Sequence, residues 1–182
     1  MLATLLSAAL AGIDGRIVRV EVDVSPGLPS FTVVGLPDAS VRESRDRVRT
    51  AIRNSDFEFP WQHITINLAP PDVRKEGAAY DLPIALGILA ATGALPSRCF
   101  DDIVVVGALS LDGAVRPTGG VLPVAMAASR AGIGAALVPA ANAAEAAVVD
   151  GLSVWPVDTL DDAAAALGDR REERRYRAPA GD

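Results

Sequence analysis

The sequence predicts a mixed α/β domain, α+β in its first half, with antiparallel strands first and strand–helix units after them. Three observations carry that expectation. Residues 16–24 alternate Val18, Val20, Val22 and Val24 with Arg19, Glu21 and Asp23, the period of two that marks a half-buried strand. Residues 82–91 are apolar, compatible with a helix and closed near Gly93, which reads as a buried helix. In the second half, strand-like runs are followed by helix-like runs, the order of an α/β arrangement.

Taken in order, residues 4–10 suit a strand or a short helix, and periodicity does not separate the two. After the strand at 16–24, Ser25-Pro26-Gly27-Leu28-Pro29 is turn material, and residues 30–34 resume as a strand, suggesting an antiparallel pair. Asp38 then reads as the N-cap of a helix reaching about Asn54, with Val41, Ser44, Val48, Ala51 and Ile52 on one face. Arg42, Arg45, Arg49 and Arg53 form a stripe beside that face, with Asp46 on the same side. Arg42–Asp46 and Glu43–Arg47 have the spacing to pair within the helix. The stripe reads either as a solvated, salt-bridged face or as a surface that meets phosphates or an acidic neighbouring subunit.

A short strand at 63–68 leads into the stretch around which the chain is organised, residues 69–93. Pro70-Pro71 stops the strand, Arg74-Lys75-Glu76-Gly77 makes a charged turn, and Ala78-Ala79 leads to the helix. Pro83 fits only in the first turn of that helix. Residues 103–111 and 114–116 flank Asp112-Gly113, a strong hairpin signal. Gly119-Gly120 opens a helix to about Ala131, closed by Gly132. A strand at 135–138, a helix at 142–149, a strand at 152–155 and a helix at 160–167 capped by Thr159 complete a domain over residues 1–168. Residues 169–182 lose the apolar period and read as a charged tail or linker.

Half of the 182 residues are hydrophobic and 4% are aromatic, so the core is aliphatic, and the length suits one domain. A net charge of −6 argues against a surface that coats nucleic acid generally. The charge is uneven: between Cys99 and Asp169, nine acidic residues face only Arg116 and Arg130, whereas residues 170–177 hold five arginines and two glutamates. Cys99 is the single cysteine, which excludes an internal disulfide and implies a reducing compartment; it reads as a small, semi-buried residue. The apolar first twelve residues have no basic residue before Arg16, unlike a signal peptide, and residues 82–95 are too short for a membrane span. A cytoplasmic protein without membrane contact is expected.

Several chemistries are excluded outright. Lys75 is the only lysine and is followed by Glu76, so no phosphate-binding loop ending in Gly-Lys-Ser/Thr can be written. One histidine and one cysteine cannot build a structural zinc site. His63 at the start of an apolar strand is a poor member of a catalytic triad. No cofactor or metal is expected in this chain.

The segments LPSFTVVGLPDASVRESRDRVRTAI, ITINLAPPDVRKEGAAYDLPIALGILAATG and VVVGALSLDGAVRPTGG, in this order, resemble the N-terminal domain of the ComM/YifB family of magnesium-chelatase-like AAA+ ATPases. The resemblance runs over residues 2–167. It implies a fold similar to the Lon protease domain, a ribosomal-protein-type β-α-β arrangement, and an AAA+ domain that would follow this sequence. ATP and magnesium would belong to that downstream domain. The family forms hexameric rings and is implicated in DNA branch migration and natural transformation, so a homo-oligomer is expected, with DNA as a possible partner. The Lon nucleophile loop aligns with residues 75–81 and places the nucleophile at Ala79; the partner lysine falls on Leu122, after Gly119-Gly120-Val121. Neither side chain can serve as nucleophile or base. The resemblance therefore implies a protease fold without proteolysis. Lys75, Glu76, Gly77, Tyr80 and Asp81 read as organising the loop and helix start, with Asp81 capping the helix or sitting at its N-terminus; ligand contact is the alternative role for Lys75, Glu76, Tyr80 and Asp81. Two other readings stand beside this inactive protease fold: a magnesium-chelatase-type module for a protein partner, and a hydrolase with a nucleophile relocated to Thr118, Ser110 or Tyr80.

Overall fold

The structure, a computed structural model, describes residues 1–168 and 175–179. Strands β1 (Leu2–Ala11) and β2 (Asp14–Ser25) form an antiparallel hairpin that turns through Gly12 at a φ of 65°. The structure settles residues 4–10 as strand. Ala3, Leu5 and Ala9 enter one core while Leu6 and Ala8 enter the other, so β1 is buried on both faces and shows no polar alternation. In β2 the alternation is real: Val18, Val20, Val22 and Val24 are all buried.

The strand at 30–34 does not pair with β2. β4 (His63–Ala69) lies between them, antiparallel to β2 and parallel to β3 (Ser30–Val34). All seven residues of β4 find partners on β2, and its buried Ile64, Ile66 and Leu68 extend the apolar face of β2. A parallel β3–β4 pair needs a crossover of a dozen or more residues. The helical segment between them supplies it.

That segment is broken. α1 (Ala39–Arg42) ends at Glu43 and α2 (Ser44–Asn54) begins beyond it, where a single helix was expected. Asp38 caps α1 by accepting from the Val41 amide at 2.8 Å. The break removes the i,i+4 geometry from Arg42 and Asp46, which do not pair; Asp46 instead meets Arg49 at 3.0 Å and Arg45 at 3.7 Å. Glu43 and Arg47 do approach, at 3.5 Å. The expected inner face holds, with Val41, Ser44, Val48, Ala51 and Ile52 buried.

α3 (Asp81–Ala91) is buried at every residue. It crosses β1 and β2 so closely that a Cβ on Gly87 would stand 2.5 Å from Val22 Cγ2. β5 (Cys99–Val105) pairs in parallel with β1, and the expected strand 103–111 divides into β5 and β6 (Ala108–Leu109). β6 and β7 (Val115–Arg116) are the arms of the hairpin around Asp112-Gly113, a separate two-stranded sheet. α4 (Val121–Arg130) starts after Gly120, whose φ of 73° opens the helix. β8 (Ala135–Pro139) follows; the expected helix 142–149 is only a 3-10 turn and α5 (Ala143–Ala146). β9 (Ser153–Val157) and α6 (Leu160–Leu167) close the fold, with Thr159 accepting from the Asp162 amide at 3.1 Å.

The main sheet has the order β3-β4-β2-β1-β5-β8-β9. Four neighbouring pairs are parallel and two antiparallel, so the sheet is mixed and mostly parallel. Residues from α2, α3 and α6 fill one core; α4 and α5 fill the other. Cys99 is exposed at the start of β5, not semi-buried. Residues 169–174 and 180–182 of the expected tail lie outside the described residues, while the Tyr176 amide donates to Val154 O of β9 at 2.7 Å. Among the described residues no helix is long and apolar enough to cross a membrane.

Candidate functional site

The loop between β4 and α3 is held by the segment Gly35–Asp38. The Lys75 amide donates to Leu36 O and the Asp38 amide to Lys75 O, both at 3.0 Å. Asp38 uses both carboxylate oxygens: one takes the Val41 amide, the other the Gly77 amide at 3.1 Å. One carboxylate thus starts α1 and fixes the charged turn. Gly35 has a φ of 106°, and a Cβ there would lie 2.1 Å from Leu68 O. No other residue type fits. The two short motifs around Asp38 and Lys75 are therefore two sides of one backbone joint.

The loop side chains are spent on the same task. Lys75 is fully buried and its Nζ donates to the Pro70 carbonyl. Burial lowers its pKa, opposed by the charge of Asp72. Glu76 is exposed and pairs with Arg74 at 3.0 Å. Tyr80 is buried and donates to Ala8 O at 3.2 Å. The Gly107 amide donates to Ala79 O at 3.0 Å and the Leu82 amide to Gly107 O at 2.9 Å, which clamps the helix start against the β5–β6 connection.

Burial pushes the Tyr80 phenol well above its usual value of 10. A raised folded pKa means that stability is complete below the unfolded pKa and is lost as pH rises beyond it. Tyr80→Phe is expected to cost about 1 kcal/mol at neutral pH through the lost hydrogen bond. Because the wild type alone suffers from phenol ionisation, that gap should close as pH rises above 10. Urea unfolding of both proteins across that range measures it, and a gap that widens would contradict the assignment.

Asp81 does not cap α3. The N-cap is Tyr80, without a side-chain bond, and the Asp81 carboxylate turns inward in the first helical turn. Its side chain is 1% exposed and accepts from Arg47 Nε at 2.7 Å, Arg47 Nη2 at 3.0 Å and the Leu109 amide at 3.1 Å. Arg47 Nη2 also donates to Ser40 O at 2.7 Å. Burial pushes the Asp81 carboxyl up, against the pull of Arg47 and the Leu109 amide; the same contact raises Arg47. Sequence reading placed Arg47 only as a partner of Glu43. Its contact with Asp81, 34 residues on, has no local signal.

Beside this frame lies a cavity of about 120 Å³, lined by Glu76, Ala79, Tyr80, Thr118, Gly119 and Val121 among others. Ala79 presents a methyl group there. Leu122 is partly buried on α4, next to Val121. Thr118 is clamped through its backbone, its amide donating to Asn142 Oδ1 and its carbonyl accepting from Asn142 Nδ2, each at 3.0 Å. Of the relocated nucleophile candidates, the Ser110 hydroxyl accepts from Arg116 Nε at 2.6 Å, and Tyr80 is engaged with Ala8. Among the described residues no group of three or more His, Cys, Asp or Glu could hold a metal.

The four arginines of the stripe lie apart from this cavity. Arg42, Arg45 and Arg53 are exposed and Arg49 is half-exposed. Arg45 and Arg49 line a shallow depression with Phe31, Phe59 and Trp61, and the Arg53 guanidinium lies 4.6 Å from the centroid of the Trp61 ring. The structure thus separates the organising loop, which is internally satisfied, from a cationic surface that is open.

The family model "Subunit ChlI of Mg-chelatase" matches residues 20–142. The chain belongs to this Mg-chelatase ChlI family. It is 43% identical over 166 residues to the uncharacterized protein YifB of Salmonella typhimurium, covering 91% of this chain and 33% of that relative. It is 41% identical over 161 residues to competence protein ComM of Haemophilus influenzae, covering 88% and 31%. A Lon protease of Chloroflexus aurantiacus is 32% identical over 164 residues, covering 82% of this chain and 19% of the protease. The chain therefore spans about a third of the length of its ChlI-family relatives. The likeness to Lon fits the mixed, mostly parallel sheet, and the Lon-like fold expected from sequence stands.

Proposed function

We propose that this chain is a non-proteolytic, Lon-like accessory domain that assembles rings and supports an AAA+ motor acting on DNA. The observation that carries the reading is Ala79: the resemblance places a nucleophile there, and the residue is a methyl group beside a cavity. There Glu76 pairs with Arg74, Tyr80 is bonded to Ala8, and the buried Thr118 hydroxyl has, among the described residues, no hydrogen-bond partner and no basic side chain lining the cavity beside it. Lys75, the one lysine, is committed to the Pro70 carbonyl and is no free base. The competence protein among the relatives supports a DNA-directed role. ATP and magnesium would act in the downstream motor, and no cofactor is assigned here.

Incubation with a fluorophosphonate probe at saturation tests the absence of a nucleophile. No covalent adduct is expected by intact-mass measurement; an adduct on Thr118, Ser110 or Tyr80 would restore the hydrolase reading. Sedimentation of the chain tests ring assembly. Anisotropy with single-stranded and branched DNA at low salt separates a DNA-directed domain from a chelatase-type module whose partner is another protein.

A further inference from the structure

We propose that the surface formed by the outer side of α2, β3 and residues 57–62 is a stacking platform for single-stranded DNA, with Trp61 as its base-stacking residue. The proposal rests on the DNA-directed reading above and names the strand form and the contact.

Two independent features meet on this surface. The first is an exposed, oriented indole with the Arg53 guanidinium over one of its faces. Trp61 is 57% exposed, whereas the other tryptophan, Trp155, is 3% exposed. Its ring is fixed from two directions: the Arg53 guanidinium lies 4.6 Å from its centroid, and Phe59 meets it edge-on, with centroids 6.0 Å apart and planes at 75°. An exposed aromatic ring held in one orientation loses little freedom when a base stacks on it.

The second feature is the line of cations. Arg45, Arg49, Phe31, Phe59 and Trp61 share one depression of about 130 Å³. Arg42 continues the line beside Phe31, Thr32 and Val33, and it makes no ion pair among the described residues. Asp46 is the acidic partner along the line, shared by Arg45 and Arg49. At 64% exposure its pairs are weak and readily exchanged for phosphate.

Cations that follow a backbone beside an aromatic on which bases stack are the two ingredients of single-strand binding. An acidic protein surface would satisfy the guanidiniums but gives the flat indole no matching partner. Duplex DNA offers phosphates, but its base faces are already stacked. The combination selects a single strand, and it is compatible with the chain's overall charge of −6 because the cations are confined to one face.

The test is anisotropy of a fluorescein-labelled oligothymidylate with the 182-residue chain, with intrinsic tryptophan fluorescence read in parallel. Trp61→Ala is expected to weaken binding about tenfold, and Trp61→Phe, which still stacks, to stay within about threefold of wild type. Quenching on binding should be lost in both variants, since Trp155 is buried. Arg45→Ala with Arg49→Ala should reduce the salt slope by about 1.4, at about 0.7 per lost phosphate contact. Near-UV circular dichroism from Trp155 confirms that the exposed-site variants fold. Wild-type binding that Trp61→Ala leaves intact overturns the platform and spares the DNA-directed reading. Failure of the wild type to bind single-stranded or duplex DNA overturns both. Loss of self-association in the double arginine variant, with no DNA binding by the wild type, assigns the surface to a neighbouring subunit instead.

Discussion

Removing either partner of the Arg47–Asp81 pair is expected to lower the unfolding free energy by about 3–5 kcal/mol. The Asp81 side chain is 1% exposed and Arg47 is 23% exposed, so the survivor is a charge held largely away from water. Arg47→Ala leaves the Asp81 carboxylate with only the Leu109 amide. Asp81→Ala leaves that amide without an acceptor and the guanidinium with only the Ser40 carbonyl and the exposed Glu43. Each single change therefore incurs a desolvation penalty besides the lost attraction. The double substitution Arg47→Ala/Asp81→Ala removes both charges together and should be less damaging than the sum of the singles by about 1 kcal/mol or more. Urea unfolding of the four proteins gives the coupling directly; strict additivity would show that the pair is not the unit described here. The pair joins α2 to the start of α3, so its loss should also loosen the helix that presents Arg42, Arg45, Arg49 and Arg53.

Gly35→Ala is the second large effect, expected to destabilise by about 3 kcal/mol or more. Two causes add. The φ of 106° is outside the range open to a residue with a Cβ, and the new methyl would overlap the Leu68 carbonyl at 2.1 Å. Leu68 is buried and paired with Val20 on β2, so its carbonyl cannot retreat without disturbing β4. Gly77→Ala is the informative comparison. Its φ is 84°, but nothing lies within 4 Å of a Cβ there, so only the backbone penalty applies, about 1 kcal/mol. Thermal unfolding of both variants checks the ranking. Equal losses would mean that the close approach to Leu68 is relaxed at no cost.

Much of the fold is written locally. The alternation in β2, the aliphatic run of α3, the caps at Asp38 and Thr159 and the hairpin at Asp112-Gly113 each depend on neighbours within a few residues, and each is present. The composition of the organising loop, with Ala79 in place of any hydroxyl, was equally plain from the chain. Tertiary structure decided the rest. Sheet order depends on which apolar ladder competes best for β2, and the seven-residue β4 displaces the five-residue β3, though β3 follows β2 in sequence. β1 gave an ambiguous signal because a strand covered on both faces has no polar side to alternate. The inward turn of Asp81 arises because a buried carboxylate takes the nearest strong donor in space, Arg47, in preference to its own helix terminus. Likewise nothing local in the sequence singles out Trp61 as part of a site. Only folding brings it beside Arg45, Arg49 and Arg53, because the strand pairing sets β3 and residues 57–62 along the exposed flank of α2.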